Sequence, residues 1–498
     1  MKLYPFLIYS LLWAFPYTLS GQQNIGIAQH FEQQMAIFPQ EKLHLHIDRT
    51  VYVPGERIWF KAYLTDAISH EPVIYSRYIY VELINSADSA VHRVIIHPDE
   101  DGMYYGHLFL SEMIPDGTYT IRAYTRYMEN LGEGYFFTKN IRIRNLQAPS
   151  PSVRAGVRSD EVDDYDVALM PEGGNLLTGQ LCKVAFKAQN RNGASDYITG
   201  KLVDESGSQL CSINTHYAGM GSFAFIPESG KKYFLQCSNF NGTKKTFELP
   251  ASKDTYAVVT AWRKLDNQHL VSVDKSNGSP EKPLYLLVHS SGVLLYFSTW
   301  DYLNNLVSFQ GNELPSGIIH FLLFDEGLNP LSERLVFNKN MKQDRAEVLF
   351  STDSPEYGKR DRVIAELSLM DFEGNRLEGN LSVSITDNTD MEIDSLTTIL
   401  SSLLLSSELK GHIETPAYYL QDNTYSEMAL DLLMMTHGWR RYNIPEVVKG
   451  IYKIPQIDFE SSKEITGTVK TLYMGRPIAD SEVTIVSSDG EFTIAITD

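Results

Sequence analysis

Cysteine is scarce in this chain: Cys182, Cys211 and Cys237 are the only three in 498 residues. A disulfide framework needs a denser, even set, so the fold does not rest on one. Buried free thiols in strands are expected, with a Cys211–Cys237 bridge as the alternative. Positive charge is also short. Lys and Arg number 43 against 62 Asp and Glu, a formal charge of −19 without a long basic run. Nucleic acid is thereby excluded as a partner. Beyond the N-terminus no stretch reaches the roughly 18 apolar residues of a spanning helix. No G-x-S-x-G elbow or P-loop occurs, and "PEGGN" at 171–175 is a Gly-rich turn with no helix after it. No catalytic residue and no cofactor is assigned.

What is present leans toward β structure. There are 29 Tyr, 23 Phe and 5 Trp, residues that favour strands. The length exceeds a single core and implies about three to five domains. The opening "MKLYPFLIYSLLWAFPYTLSGQQ" has a Lys, an apolar run, then Ser20 and Gly21. This is the layout of a signal peptide over 1–21, with a membrane anchor as the alternative. No Cys follows, which argues against lipoprotein processing. An exported, soluble chain is expected, with membrane association only indirect.

In "EKLHLHIDRTVYVPGERIWFKAYL" Leu43, Leu45 and Ile47 alternate with His44, His46 and Asp48. After the Pro54–Gly55 turn, Ile58, Phe60, Ala62 and Leu64 alternate with Trp59, Lys61 and Tyr63. Period two makes these half-buried strands joined by a tight turn. The spacing of His44, His46 and Asp48 resembles the H-x-H-x-D-H ligand run of metallo-β-lactamases, but Arg49 stands where the last His would be. A cation there opposes Zn²⁺. The histidines are therefore expected on the solvent face, beside Trp59 or Tyr63, which form a candidate interaction surface. A metal-dependent hydrolase using His44, His46 and Asp48 is the weakest alternative.

Short strands and turn signals continue to "IPDGTYTIRAYTRYM", giving an antiparallel β-sandwich over 38–147 and a linker at 148–159. Internal echoes then set the organisation. "YVPGERIWFKAYL" is repeated by "LLTGQLCKVAFKAQNRNG" and more loosely by "EYGKRDRVIAELSLMDFEG"; "IPDGTYTIRAY" is repeated by "LPSGIIHFLLF". Sandwiches are expected at 160–252, 253–342 and 343–450, the last with a helical insertion at 394–442. There Leu396, Ile399, Leu400, Leu403 and Leu404 follow Asp394 as N-cap and close at Gly411. A second stripe, Leu430, Leu433, Met434 and His437, stops at Gly438. The acidic run Asp387, Asp390, Glu392 and Asp394 lacks the Gly and Glu of a calcium loop and reads as solvated. Over 463–498 the strand pattern restarts and stops before a small sandwich closes, so a longer natural protein is expected.

"HIDRTVYVPGERIWFKAYL" with "IPDGTYTIRAYTRYM" resembles the second-type macroglobulin domain of the alpha-macroglobulin superfamily, as in large envelope proteins of Gram-negative bacteria. "MPEGGNLLTGQLCKVAFKA", "LPSGIIHFLLFDEGLNPLSERLVF", "LKGHIETPAYY" and "ALDLLMMTHGWRRY" resemble later segments of the same proteins. "ITGTVKTLYMGRPIADSEVTI" is similar to the start of a carboxypeptidase-regulatory-like domain, which can precede a TonB-dependent receptor plug. Tyr52, Pro54, Gly55 and Glu56 carry the family motif. The resemblance implies an all-β chain of tandem immunoglobulin-like sandwiches that acts as a non-enzymatic scaffold or binding module in the periplasm or at the outer membrane. Envelope proteins, an outer-membrane transporter among them, are the implied partners. The thioester motif C-G-E-Q of the protease-trapping members is missing around all three cysteines. An endopeptidase inhibitor without a thioester, with proteases as partners, is the second reading.

Overall fold

The computed structural model describes residues 22–145, 164–263, 267–340, 345–386, 396–439, 441–462, 467–486 and 492–497. The expected signal peptide, the linker at 148–159 and the acidic run at 387–394 lie outside them.

Alternation of apolar residues builds the first sandwich. One sheet pairs β1 (Glu41–Ile47), β3 (Arg57–Asp66) and β6 (Tyr104–Phe109) in the order β1-β3-β6. The other, ordered β2-β8-β7-β4-β5, contains β2 (Val51–Tyr52), β4 (Ile79–Ile84), β5 (Ala90–Ile96), β7 (Gly117–Tyr124) and β8 (Phe137–Ile143). Leu45 and Ile58 from one sheet, and Ile79, Val81, Leu83 and Ile121 from the other, are fully buried between them. Each such side chain contributes about 1.5–3 kcal/mol. The two expected strands are β1 and β3, with Leu43 opposite Leu64 and Ile47 opposite Phe60.

A second sandwich joins β9 (Tyr165–Pro171), β10 (Cys182–Asn190) and β13 (Met220–Phe225) to β11 (Ile198–Asp204), β12 (Gln209–Asn214), β14 (Tyr233–Asn239) and β15 (Lys244–Glu248). Its three cysteines are free thiols, Cys182 and Cys237 buried in strands. A third sandwich has β16 (Tyr256–Arg263), β17 (Gln268–Lys275) and β20 (Val307–Gln310) in one sheet. Its other sheet, β19-β18-β21-β22, contains β18 (Leu284–Ser290), β19 (Val293–Thr299), β21 (Gly317–Asp325) and β22 (Pro330–Asn338). The second and third sandwiches meet at Gly173, whose φ is +68°. A Cβ there would stand 2.7 Å from Ser332 Oγ and 2.9 Å from the Val258 carbonyl, so the contact requires glycine.

Residues 345–386 contribute one hairpin of the expected fourth sandwich, β23 (Glu347–Thr352) with β24 (Ala365–Met370). It repeats β1–β3 in register: Val348 pairs Leu369 as Leu43 pairs Leu64, and Thr352 pairs Ala365 as Ile47 pairs Phe60. The turn is repeated too. Asp48 Oδ1 accepts from Tyr52 Oη (2.7 Å) and from the Trp59 N–H (3.0 Å). Asp353 Oδ1 accepts in the same way from Tyr357 Oη (2.5 Å) and the Ile364 N–H (2.9 Å). Gly55 and Arg360 occupy the same position with φ of +84° and +70°. The faint sequence echo at 356–374 is thus a structural repeat.

The helices pack elsewhere than on that hairpin. Thr398 caps the turn Ile399–Ser401, which widens into a π turn over Ser402–Ser406. The cap expected at Asp394 lies outside the described residues. After α1 (Gln22–Ile37), the second long helix is α2 (Thr424–Thr436), capped by Asn423 Oδ1 accepting from the Ser426 N–H at 3.0 Å. Its stripe Leu430, Leu433 and Met434 is buried as expected, against Ala185 and Met220 of the second sandwich and Ile318, Leu335 and Phe337 of the third. His437 is the C-cap rather than part of the stripe. Helix α1 buries Ile27 and Phe31 against Leu287, Phe297 and Leu322 of the third sandwich. A final hairpin, β25 (Glu482–Val486) with β26 (Phe492–Ile496), leaves Phe492, Ile494 and Ile496 exposed.

The chain is all-β, a tandem of immunoglobulin-like antiparallel sandwiches with helical segments fitted against them. Among the described residues no helix is long and apolar enough to cross a membrane.

Candidate functional site

The family-motif residues form a closed turn. Tyr52 is buried, and its hydroxyl donates to Asp48 Oδ1 and to the Arg49 carbonyl at 2.8 Å while accepting from the Arg49 N–H at 3.1 Å. Burial and the neighbouring Asp48 carboxylate push the phenol pKa up. Arg49 reaches Asp48 (3.2 Å) and Glu56 (3.1 Å), and Glu56 Oε2 accepts from the Val53 N–H at 2.8 Å. Gly55 adopts the left-handed conformation after Pro54, and its N–H donates to the Leu110 carbonyl at 2.9 Å. Both oxygens of Asp48 are used inside this turn.

The alternate residues His44, His46, Lys61 and Tyr63 share the outer face of β1 and β3, with His44 opposite Tyr63 and His46 opposite Lys61. That face is only partly open to solvent, with His44 enclosed and His46, Lys61 and Tyr63 half-buried, which corrects the placement expected from the sequence. His44 is 5% exposed. The reason is a covering layer from far along the chain. His44 Nδ1 hydrogen-bonds Ser402 Oγ at 3.0 Å, and His46 Nδ1 hydrogen-bonds Ser382 Oγ at 2.6 Å. Tyr63 Oη meets the same Ser382 Oγ at 2.6 Å, and Lys61 Nζ donates to the Leu381 carbonyl at 3.0 Å. Burial, then the Lys139 and His46 charges, hold the His44 pKa down at about 3. An enclosed imidazole with its pKa held down serves as a hydrogen-bonding group rather than a proton shuttle. Trp59 alone of the two candidate surface aromatics projects outward, 53% exposed, with its ring 4.7 Å from that of His107. The structure thus separates Asp48, turned into its own loop, from His44 and His46. Among the described residues no group of three or more His, Cys, Asp or Glu is placed to hold a metal ion.

The strongest electrostatics lie at buried junctions. Glu408 is 2% exposed and pairs with Lys42 of β1 (2.6 Å) and with Arg441. Trp439 Nε1 donates to it at 3.0 Å. Lys42 also donates to the Leu403 carbonyl, and Arg441 to the carbonyls of Ala67 (2.7 Å) and Ser291 (3.1 Å). One carboxylate thereby ties the first sandwich, the third sandwich and the helical segment together. Burial pushes the Glu408 carboxyl up, but Arg441 and Lys42 outweigh it and hold the pKa at about 2. At Lys42 burial, with Arg441 opposing the charge as well, outweighs the Glu408 and Asp66 carboxylates and lowers the pKa to about 8. A second junction has Arg334 of β22 between Glu172 of the second sandwich (2.9 Å) and Asp431 of α2, which also pairs with Lys183 of β10 at 2.6 Å. Beside the first cluster, buried His289 and His320 hydrogen-bond at 3.0 Å under Trp439.

An open depression of ≈ 440 Å³ beside β7 is lined by Asn85, Thr120, Arg122 and Glu133 among others. Arg122 is already paired with Glu82 and Glu133, so it offers little to a ligand. Sequence reasoning missed Lys42, Glu172, Arg334, Glu408, Asp431 and Arg441. The available signal was a charge set within an apolar run, as Lys42 and Arg334 are within their strands.

No protein-family model and no curated protein matches the sequence. Among solved structures, alpha-2-macroglobulin of Salmonella reacted with methylamine is 12% identical over 68% of this chain and 27% of that one, with a TM-score of 0.19. Alpha-2-macroglobulin of Escherichia coli activated by porcine elastase is 13% identical over 63% and 32%, with a TM-score of 0.20. Dimeric latent PorU from Porphyromonas gingivalis is 10% identical over 60% and 34%, with a TM-score of 0.27. The chain spans about a quarter to a third of the length of these proteins. Similarity at this level assigns no activity.

Proposed function

We propose that the chain is an exported, non-enzymatic scaffold or protein-binding module of the cell envelope, working beside TonB-dependent outer-membrane systems. The observation that supports this most is the employment of its charged residues. Lys42, Glu408 and Arg441, and Glu172, Arg334 and Asp431, are spent on fastening separate sandwiches to one another. Such junctions suit a spacer that presents surfaces at fixed distances. The sequence pattern of residues 1–21 supports export, and the macroglobulin-like motifs support the envelope.

The test is recovery of the tagged full-length gene product from envelope extract after mild cross-linking. A stoichiometric outer-membrane transporter complex is expected. Recovery of a trapped endopeptidase, or of no partner together with measurable hydrolysis, would overturn the proposal.

A further inference from the structure

Residues 451–460, IYKIPQIDFE, lie against α1 and the first sandwich without forming a helix or strand. None of them is buried, and the large apolar Ile451 and Ile454 are 57 and 62% exposed. A connector that belonged to a core would turn those residues inward. This stretch is held by its backbone instead. Gln34 of α1, itself 1% exposed, brackets Lys453: its Oε1 accepts from the Lys453 N–H at 2.7 Å and its Nε2 donates to the Lys453 carbonyl at 2.9 Å. Asn130 does the same from the 3-10 turn Arg126–Leu131. Its Oδ1 accepts from the N–H groups of Gln456 (2.7 Å) and Ile457 (3.0 Å), and its Nδ2 donates to the Ile457 carbonyl at 2.8 Å. The Arg77 N–H, just ahead of β4, donates to the Glu460 carbonyl at 2.9 Å.

Two side chains are read at the end of the stretch. Phe459 stacks on Tyr127 with ring centroids 3.7 Å apart and planes at 19°, and Tyr75 stands 5.3 Å away. The Glu460 carboxylate accepts from Tyr80 Oη at 3.0 and 3.1 Å. At the other end Tyr452 Oη donates to exposed Gln33 at 2.8 Å. Carboxamides that bond both the N–H and the C=O of an irregular chain hold it whatever most of its side chains are. One aromatic slot and one hydrogen-bonded carboxylate then supply the choice. This is how a groove binds a peptide, and the stretch gives up little on leaving: one stacked ring and bonds that water replaces.

We propose that α1, the turn at 126–131 and residues 75–80 form a peptide-binding groove, with residues 451–460 as an internal occupant. The occupant gives way to a linear segment of another protein that carries an aromatic residue followed by Asp or Glu. What sits in the groove sets that chemistry. The docked stretch lowers the apparent affinity for an outside peptide by the fraction of chains it occludes, so entry is gated. The inference rests on the binding-module reading and names the chemistry of its partner.

The probe is a fluorescein-labelled peptide with the sequence of residues 451–461, IYKIPQIDFES, titrated by fluorescence anisotropy. It is added to the full chain and to a full chain opened by Phe459→Ala with Glu460→Ala. Saturable binding to the opened chain is expected, about tenfold or more tighter than to the unmodified one. Asn130→Ala added to the opened chain weakens binding about tenfold or more. Tyr80→Phe weakens this probe and leaves a probe with Glu460→Ala unchanged. Melting temperatures equal to that of the opened chain confirm the fold of both further variants. Random peptides displayed on phage and selected on the opened chain are expected to share an aromatic–acidic pair and to displace the probe.

Absence of binding to the opened chain, equal binding to both chains, or indifference to Asn130→Ala overturns the proposal. Selected peptides that lack the pair, or leave the probe in place, overturn it too. A dimer of the unmodified chain seen by light scattering and lost on opening assigns the groove to a second copy instead. If the opened chain ignores the probe while the unmodified chain recovers its transporter, the groove is wrong and the binding-module reading stands.

Discussion

Glu408 neutralises two cations that have no water to turn to. Glu408→Gln strands Lys42 and Arg441 in the interior, and is expected to cost about 3–5 kcal/mol in urea unfolding. Adding Lys42→Met should cost less than the two single changes together, because they share one network. The carboxyl titrates at about 2 in the folded chain against the usual 4.5. Its contribution is therefore complete above pH 4.5 and is lost as pH falls toward 2. The turn residues offer a paired test. Tyr52→Phe removes hydrogen bonds from a buried turn and should cost about 1–2 kcal/mol. Tyr357→Phe removes the equivalent bonds from the exposed hairpin and should change global unfolding by less than about 0.5 kcal/mol. Equal losses at the two sites would refute the view that β23–β24 stands apart from the cooperative core. The alternation around Leu43, Leu45 and Ile47 revealed the strand and the side of it that faces the core. It could not reveal that His44 is covered, because the cover, Ser402, is 358 residues away.

Between elements, histidines held neutral line the contacts of the helical segment. His70 faces Lys42 at 3.3 Å, with Glu408, Arg441 and Asp66 also acting on it. His289 faces His320, Arg441, Trp439 and Phe31. His437 faces Lys187, Thr436 and His412. Burial lowers the pKa of His70 and His437 to about 4 and that of His289 further. Each then binds fewer protons folded than unfolded below about pH 6.5, so the stability it contributes is present above that value and drains away toward pH 4. Protection factors across 399–437, corrected for the intrinsic exchange rate at each pH, are expected to fall from pH 7 to pH 4, while those of β4 and β7 hold. A uniform fall over both would contradict it. The helical stripe at Leu430, Leu433 and Met434 was legible from its period. Helix α1 was not, because its inward face mixes Ile27 and Phe31 with a buried Gln34 that bonds the backbone of Lys453. A face satisfied by polar pairing carries no hydrophobic period.

Across the whole molecule, the two ion junctions tie the three sandwiches to one another, and they are expected to move together. Spin labels on the first and third sandwiches should give a single narrow distance distribution in the intact chain. Glu408→Gln should broaden it, whereas Trp59→Ala, at an exposed position, should leave it unchanged. Breadth in the unmodified chain would remove the rigid-spacer argument. The tandem of sandwiches was legible because strands such as β3 and β7 carry a period of two. The junctions were not, since a lone Lys or Arg in a strand does not announce which distant carboxylate it meets.

The bond from Lys42 to the Leu403 carbonyl spans 361 residues. At roughly 5–20 residues per second, synthesis runs for about 20–70 s between making the cation and making its anchor. During that interval the first sandwich carries an ammonium that its finished interior tolerates only in company. The first sandwich therefore completes its interior only once Leu403 and Glu408 have been made.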